Sequence, residues 1–381
     1  MDTLAQELID EIIDNVPRQD MPSSSLVAKR WRRKSQQRNF ERVLFMFENL
    51  DLWEFNIPQD LVDGIPSYVR HVRFKFTYFS NHEPGTLSRV LKTFGSMISL
   101  AIDDTSPPPA EELAVPLSLG EFGNITRLEL VYVVDTVSVI TSLIFSFPNL
   151  RELITYHLDL WPDDPSPTIP DASQRGPLEL LSIHSTEAGN YPPLARLGLT
   201  SRWLSLDPSG EGIELFIKRS SETMVELTLI DPVGFWSGRE EAPPPIVHLP
   251  PLSSLTSVRV QLVWENPSTR LAGLLSSIRS APKLSSVTFS FADRRATASM
   301  FPPSGSWVVV DRWLASMITT RTTATVGLRV VLAGWPEDNP SWREYSPWFR
   351  EAGGELRREA HDYEYYDLRP IYGAECWRDS S

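Results

Sequence analysis

The sequence contains very little cysteine: Cys376 is the only one among 381 residues. A single thiol excludes an internal disulfide framework and any structural zinc site that needs several cysteines. The six histidines are scattered, and none forms a pair at the helical spacing of metal ligands. We therefore predict no metal site and a reducing, intracellular location in the cytoplasm, the nucleus or both.

Long apolar runs are absent as well. The longest such stretch, residues 137–147, is interrupted by serines and a threonine and is too short to cross a bilayer. The first three residues, Met1-Asp2-Thr3, show neither the basic nor the apolar region of a secretory signal. We expect no membrane partner.

Positive charge is scarce, because 36 Lys and Arg face 49 Asp and Glu and the formal net charge is −13. A chain of this charge repels the phosphate backbone, which disfavours a nucleic-acid partner. The basic cluster at residues 29–34 is an exception. It is compatible with a nuclear-targeting or nucleic-acid segment, but we favour a solvated helix face, because the acidic residues at 7–14 could neutralise it.

Motifs of common catalytic sites are missing too. The sequence has no Gly-x-x-x-x-Gly-Lys-Ser/Thr loop, no Gly-x-Gly-x-x-Gly turn and no Gly-x-Ser-x-Gly nucleophile elbow. The acidic pairs Asp103-Asp104 and Asp163-Asp164 lie in proline-rich segments, whereas glycosidase chemistry needs two carboxylates held across a cleft. We predict a non-catalytic protein that needs no cofactor.

Aromatic residues and proline, in contrast, are abundant. The chain contains 17 Phe, 12 Trp and 10 Tyr, far more than a disordered chain carries, and it also contains 32 Pro. Prolines interrupt helices and strands, so we expect a folded protein with short elements. Proline-rich insertions at 103–116, 161–177 and 238–251 are interpreted as loops between those elements.

The pattern of the first fifty residues predicts helices. Apolar residues recur at helical spacing from Leu4 to Val16, and Pro17 ends this first helix. The later apolar residues fit two further helices and are Leu26, Val27, Trp31, Phe40, Val43, Leu44 and Phe47. On the first helix, one apolar row (4, 8 and 12) lies beside a second row (9, 13 and 16), which is wider than one packing surface requires. Something must cover each row.

Beyond residue 65 the pattern changes to short alternating segments, each of which predicts a strand with one buried face. The predicted strands are 69–76, 98–102, 125–130, 150–153, 178–183, 194–199, 227–229, 255–262, 284–289 and 326–332. Helices are predicted between them at 87–97, 137–147, 213–224, 271–280 and 313–320. Equivalent strand positions recur about every 25 to 30 residues, a spacing consistent with leucine-rich repeats. The predicted fold is α/β, an irregular solenoid with parallel strands on its concave side and helices on its convex side.

The solenoid interpretation selects a candidate binding face. Residues between the buried strand positions would point to the concave side, and a mixed polar and aromatic surface suits protein recognition. The candidate target-binding residues are Arg127, Glu129, Tyr156, His184, Glu226, Thr228, Arg259, Gln261 and Arg329, and the same pattern includes Ile154, Ser182 and Thr288. Each residue taken singly is equally compatible with the ordinary polar face of a half-exposed strand.

The N-terminal residues resemble a known family. The segment Leu4-Ala5-Gln6-Glu7-Leu8-Ile9-Asp10-Glu11-Ile12-Ile13-Asp14, followed by Ser25-Leu26-Val27-Ala28-Lys29-Arg30-Trp31, is similar to the fungal F-box pattern. The body resembles the leucine-rich-repeat region that accompanies F-boxes in fungal proteins. This resemblance implies docking on a Skp-type adaptor within a cullin-RING ubiquitin ligase of the SCF type. The adaptor-binding residues that it implies are Leu4, Leu8, Ile9, Ile12, Leu26, Val27 and Trp31.

These observations predict four regions along the chain. They are an F-box-like helical domain at 1–47, a connecting segment at 48–68, a degenerate leucine-rich-repeat solenoid at 69–334 and an aromatic C-terminal cap or tail at 335–381. We expect a non-catalytic substrate-recognition subunit of a ubiquitin ligase, whose repeat body binds a protein target. The alternative is a leucine-rich-repeat scaffold whose N-terminal helices only cap the solenoid.

Overall fold

A computed structural model of the chain describes part of its length. The described residues are 5–17, 20–46, 64, 66–76, 91–104, 122–161, 176–184, 191–208, 212–231, 249–262, 269–278, 280–291, 309–310, 312–313 and 327–332. The predictions for Leu4, Phe47, most of the proline-rich insertions and the aromatic segment 335–381 lie outside these ranges. Two compact units are present: described residues up to 150, with 158–161, form the first, and 151–157 with those from 176 onward form the second.

The fold is α/β, as predicted, and its strands pair in parallel. The helices are α1 (Gln6–Asn15), α2 (Met21–Val27), α3 (Lys29–Phe40), α4 (Val137–Phe145), α5 (Tyr191–Arg196), α6 (Ile213–Arg219) and α7 (Thr269–Ser277). The strands are β1 (Arg42–Met46), β2 (His71–Phe76), β3 (Ser99–Asp104), β4 (Arg127–Val131), β5 (Val134–Thr136), β6 (Glu152–Tyr156), β7 (Asp159–Trp161), β8 (Leu178–His184), β9 (Ser201–Leu206), β10 (Glu226–Asp231), β11 (Ser257–Leu262), β12 (Ser286–Phe291) and β13 (Gly327–Leu332).

The helix predicted from Leu4 to Val16 is present as α1. It ends because Val16 adopts an extended backbone (φ −72°, ψ 131°) immediately before Pro17, a geometry that a following proline favours. Pro22 lies in the first turn of α2, where its missing amide costs no helical hydrogen bond. Ala28, with φ −158° and ψ 157°, separates α2 from α3.

The prediction of a helix through residues 42–46 is wrong, because these residues form β1. Phe40, Val43, Leu44 and Phe47 have helical spacing, but Val43 and Phe45 also alternate with Arg42 and Leu44 as in a strand. Pairing with β2 decides between the two, since the strands align in register from Arg42 opposite His71 to Met46 opposite Lys75. The sheet therefore begins inside the range assigned to the helical domain.

In the first unit, β1, β2, β3 and β4 lie side by side in that order, and each pair is parallel. The apolar face buries Val72, Phe74, Leu100, Ile102, Leu128 and Leu130, and each of them is at most 2% exposed. Beside this sheet, β5 pairs in parallel with the short strand β7. Tyr132, between β4 and β5, has a left-handed backbone (φ 55°), which is uncommon for so bulky a residue.

In the second unit, β6, β8, β9, β10, β11, β12 and β13 lie side by side, and each pair is again parallel. The register is strict, so Leu181, Leu204, Leu227, Val258 and Val287 form one buried row across five strands. Helix α7 buries Leu271, Leu274 and Leu275 along one side, as the spacing of three and four residues requires.

A backbone pattern recurs where the strands begin. The residue immediately before a strand has a carbonyl that accepts two backbone amides from the next strand segment along the sheet. These acceptor carbonyls belong to Glu41, Arg70 and Ile98 in the first unit and to Arg151, Val225 and Thr256 in the second, with N···O distances of 2.8 to 3.2 Å. We call this arrangement the shared-carbonyl junction. It links the strand starts of six neighbouring strand pairs and so repeats the same geometry within both units.

A buried apolar residue lies two positions before many strands. These residues are Val69, Met97, Ile125, Leu150, Met224, Leu255 and Leu284, and each is at most 5% exposed. Six of them donate their amide to a carbonyl three residues earlier, whereas Met224 bonds to Ser220, so a tight turn precedes each strand. Within each unit the successive positions are roughly 25 to 31 residues apart, in the range of repeat architectures.

The prediction of a strand at 194–199 is wrong. Leu194 lies within α5, which ends at Arg196, and the Leu197 amide donates to the Leu194 carbonyl in the turn that follows. Gly198 completes this turn in the left-handed conformation (φ 72°), which glycine adopts without strain. The strand is β9, Ser201–Leu206. Leu194, Leu197 and Leu199 are therefore buried at the end of a helix and in the turn after it, not along one face of a strand.

Replacement of the buried Leu229 by Ala should destabilise the protein. The Leu229 side chain is fully buried within β10, and removal of such a side chain costs about 2–5 kcal/mol in free energy of unfolding. The matched control is Thr228→Ala, one residue earlier on the opposite, polar face. Urea denaturation followed by circular dichroism should show a lower midpoint for Leu229→Ala and nearly the wild-type midpoint for the control. Equal midpoints for the two variants would contradict this assignment of the faces.

Candidate functional site

Helices α1, α2 and α3 form a small module with its own apolar core. Ile9, Ile13 and Met21 are at most 1% exposed, and Val16 and Trp31 pack against them while remaining partly exposed. The row at positions 9, 13 and 16 is therefore covered from within the chain by α2 and α3. One of the two apolar rows of α1 is accounted for by this packing.

The other apolar row is open to solvent. Leu8 is 48% exposed and Ile12 is 41% exposed, one helical turn apart on α1. At the end of α2, Leu26 is 79% exposed and Val27 is 52% exposed. We call these four side chains the apolar surface. Four large apolar side chains exposed on the two short helices α1 and α2 are typical of a contact surface.

The structure divides the predicted adaptor-binding residues into two groups. Leu8, Ile12, Leu26 and Val27 are available at the surface, whereas Ile9 lies in the module's core and Trp31 is partly buried against that core. Leu4 lies outside the described residues. Ile9 therefore supports the surface from beneath and does not contribute to its exposed area.

Arg38, which the sequence patterns did not single out, ties α3 to the end of α1. Its guanidinium donates hydrogen bonds to the backbone carbonyls of Ile13 and Val16 at the C-terminal end of α1, where the Ile13 carbonyl also accepts the Val16 amide. Arg38 and Lys34 also lie 3.8 and 3.3 Å from the Asp14 carboxylate. Part of the basic segment is thus neutralised by an acid of α1, as the solvated-face interpretation proposed.

The polar face of the first-unit sheet carries a network of ion pairs. Arg73 on β2 lies 3.4 Å from the Asp103 carboxylate and 3.6 Å from that of Glu129, and Arg127 lies 3.7 Å from Glu129. The sequence selected Arg127 and Glu129, which lie on this face. It missed Arg73 and Asp103, although both lie at alternate positions of recognisable strands.

The polar face of the second-unit sheet contains the other candidate residues. Register places Ile154, Ser182, Ser205, Thr228, Arg259 and Thr288 in one row across β6 to β12. Arg259 Nε lies 2.9 Å from the Glu226 carboxylate, which belongs to the neighbouring row. The amide oxygen of Gln261 is buried and accepts no hydrogen bond within the described part of the chain. The side chain of Arg329 lies outside the described residues, although its backbone pairs with that of Thr288.

Tyr156 and His184 form a compact cluster at one end of that face. Their rings stack with centroids 5.2 Å apart, and His184 Nε2 lies 2.7 Å from Ser182 Oγ and 3.5 Å from Ser205 Oγ. Burial, together with the nearby His157, lowers the pKa of His184 to about 4. His184 is therefore neutral at pH 7, where its ring can exchange hydrogen bonds with both hydroxyls but carries no charge.

An exposed tryptophan completes this face. Trp203 is 53% exposed and pairs in register with Leu180 on one side and Glu226 on the other. The sequence pattern did not indicate Trp203, because it predicted the strand at 194–199 instead of at Ser201–Leu206. Exposed tryptophans on a sheet are common anchors of protein interfaces.

The described residues contain no group of His, Cys, Asp or Glu side chains that could hold a metal ion. Across the same part of the chain, every helix is too short or too polar to cross a membrane. The candidate surfaces are the apolar surface of α1 and α2 and the polar faces of the sheets.

The neutral state of His184 predicts a pH dependence of stability. The pKa of His184 is about 4 in the folded chain and about 6.5 in the unfolded chain, so only the unfolded chain gains a proton between those values. This contribution to stability is complete above pH 6.5 and is lost as the pH falls towards 4. At pH 5 the loss is on the order of 1 to 2 kcal/mol.

The measurement compares wild type with His184→Gln by urea denaturation at pH 7 and pH 5. Carboxylates contribute equally to both proteins, so the free energy of unfolding should fall more for wild type than for the variant. The same decrease in both proteins would refute the neutral, buried state of His184.

The chain matches no family model, and no curated protein matches it.

Proposed function

We propose that this chain is a non-catalytic, F-box-type substrate-recognition subunit of an SCF ubiquitin ligase. In this proposal the N-terminal helices dock on a Skp-type adaptor, and the sheet-bearing body binds the protein to be ubiquitinated. The observation that carries the proposal is the apolar surface of Leu8, Ile12, Leu26 and Val27, exposed on a module whose own core is already closed.

The energetics of that surface favour a partner. Burying a leucine, isoleucine or valine side chain stabilises a complex by roughly 1.5 to 3 kcal/mol. Leu8 and Ile12 lie at positions i and i+4 of one helix, the spacing with which an amphipathic helix presents anchors to a groove. Leu26 and Val27 extend the same apolar character to α2. Four such side chains are enough for a small set of binding hot spots.

The proposed repeat character of the body rests on its recurring junctions. The shared-carbonyl junction, the buried apolar residue and the parallel in-register strands recur together, as expected for leucine-rich repeats. Asn124 and Asn149 donate side-chain hydrogen bonds to the carbonyls of Gly95 and Gly123, at equivalent points of successive turns. Repeated layers of this kind leave one sheet face for recognition, while the other face is buried.

One observation favours the alternative, a scaffold in which the helices only cap the sheet. Glu41 alone separates α3 from β1, and α3 contacts both β1 and the short 3-10 turn Pro66–Tyr68. The module therefore lies against the first strand, where a cap would lie. A cap explains these contacts but leaves the exposure of Leu26 and Leu8 without a role.

The combined change Leu8→Asp and Ile12→Asp should abolish adaptor binding. Both side chains are exposed, so the charges cost little in the free chain but would be buried unpaired in the complex. We expect co-purification of the Skp-type adaptor with wild type, and at least about a hundredfold weaker binding of the double variant in titration calorimetry. An intact circular dichroism spectrum would show that the module remains folded.

The matched control is Leu44→Asp, which alters a leucine with the same exposure of 48% on β1 rather than on the helices. It should bind the adaptor as wild type does. Failure of the wild-type chain to bind the adaptor, or adaptor binding by the double variant at wild-type strength, would refute the docking proposal.

Deletion of residues 1–40 separates the docking proposal from the cap alternative. The deletion spares β1 and also Glu41, whose carbonyl accepts the amides of Arg70 and His71 in the sheet. A docking module should be removable with loss of adaptor binding and little change in the melting temperature of the body. A cap covers the first layer, so the truncated chain should instead aggregate or melt well below wild type, as light scattering and thermal denaturation would show.

A further inference from the structure

The contacts of α3 define which side of this helix faces the N-terminal module. Trp31 packs against the core of the module, and Ser35, one turn later, is fully buried. Lys34 and Arg38 lie on the adjoining side and reach the Asp14 carboxylate of α1. These four positions turn one side of α3 inward and leave the opposite side outward.

Three cations occupy the outward side of α3. Lys29, Arg32 and Arg33 are three and four residues apart, a spacing that places side chains on one helix face, and all three are exposed. Unlike Lys34 and Arg38, their side chains form no ion pair and no hydrogen bond within the described part of the chain. We call these three side chains the cationic face.

The stability of α3 does not explain the cationic face. Cations in the first turns of a helix oppose its macrodipole, and like charges three and four residues apart repel one another. The first turn of α3, which begins at Lys29, contains no acidic residue to offset either effect. Carboxylates of a partner would reduce both costs, so the cationic face favours an anionic occupant.

We propose that the cationic face binds a short acidic segment of a partner protein, with its carboxylates clustered within about one helical turn. Charge complementarity selects an acidic occupant, because the three cations are unneutralised within the described residues. The same small module also exposes Glu7 and Glu11, and the whole chain has a net charge of −13. These acids repel a long polyanion such as a nucleic acid, whereas a short segment can reach the cationic face alone.

The cationic face begins next to the apolar surface. Leu26 and Val27 are exposed at the end of α2, and only Ala28 separates α2 from α3. Val27 and Lys29 are two residues apart, a distance of about 7 Å along an extended chain. A partner that covers Val27 therefore comes within reach of Lys29. The assignment of the acidic segment to the Skp-type adaptor rests on the proposed function, whereas the binding of an acidic segment does not.

The test uses the full-length chain and two labelled, end-capped peptides of one composition. The clustered peptide, Gly-Ser-Glu-Asp-Glu-Ser-Gly, has three adjacent acids, and the dispersed peptide, Glu-Gly-Ser-Asp-Ser-Gly-Glu, spreads them over about 20 Å when extended. Fluorescence polarisation at low salt should show binding of the clustered peptide at least about threefold tighter. Equal affinities, or no measurable binding of either peptide, would overturn the proposal. Tighter binding of an oligothymidylate of the same charge would overturn the choice of a protein segment.

Variants of the two arginines link the binding to the cationic face. Arg32→Gln with Arg33→Gln should weaken binding of the clustered peptide at least about tenfold, whereas Arg32→Lys with Arg33→Lys should retain most of it. The glutamine variant relieves like-charge repulsion within α3, so the helix should remain folded in circular dichroism. The matched control is Lys218→Gln with Arg219→Gln, which removes the same charge from two exposed positions in the last turn of α6. Unchanged binding by the Arg32 and Arg33 glutamine variant, or an equal loss in the control, would refute the proposal.

Carbodiimide cross-linking gives an independent readout at Lys29. The reagent joins a lysine amine to a carboxylate that lies against it, so a bound acidic peptide should become attached to the Lys29 side chain. Mass spectrometry of the chain with the clustered peptide should identify this cross-link, and excess unlabelled peptide should suppress it. Cross-links to Lys218 at the same yield as to Lys29 would contradict binding at the cationic face.

Failure of this proposal is distinguishable from failure of the proposed function. The Leu8→Asp and Ile12→Asp variant retains the cationic face, and it should bind the clustered peptide within about twofold of wild type. This result is expected whether or not the wild-type chain binds the adaptor. Loss of peptide binding in that variant would overturn the cationic face as a site of its own.

Discussion

The shared-carbonyl junction is the interaction on which the rest of the sheet structure depends. A carbonyl that accepts two amides from the next segment leaves that segment little freedom to shift along the strand direction. A shift of one residue would also turn every buried leucine towards solvent. Hydrogen bonding and burial therefore select the same register. That register, in turn, decides which polar side chains become neighbours, and so it creates the ion network around Arg73 and the cluster around His184.

The N-terminal module illustrates how one helix can serve two surfaces. The inner apolar row of α1 packs against Met21 and Trp31. Arg38 donates hydrogen bonds to two backbone carbonyls at the C-terminal end of α1. The small module can therefore fold around its own core while Leu8 and Ile12 remain exposed. An apolar row that remains exposed after the core is complete contributes nothing to the module's own stability. The exposed row can contribute binding energy only when a partner covers it, and this is the basis of the proposed function.

The two polar sheet faces differ in their electrostatics. In the first unit, Arg73 and Arg127 form ion pairs with Asp103 and Glu129, so charged groups dominate the polar face. In the second, burial keeps His184 neutral, and hydroxyls and aromatic rings dominate around it. A charged face attracts a partner over a distance and sets orientation, whereas an aromatic face such as that around Trp203 contributes binding energy on contact. Each face therefore has a distinct chemistry to offer a protein partner.

The sequence by itself determined α1 with its two apolar rows, most of the strands and the alternation of buried and polar positions, because these depend on local periodicity. It also selected residues such as Glu226 and Arg259, which prove to be neighbours. Only the tertiary structure decided that Arg42–Met46 is a strand and that α5 and a turn precede β9. Short apolar runs fit either period, and pairing with a neighbouring strand resolves them. The sequence also could not show which side chains share a row, because strand register brings together residues some thirty positions apart.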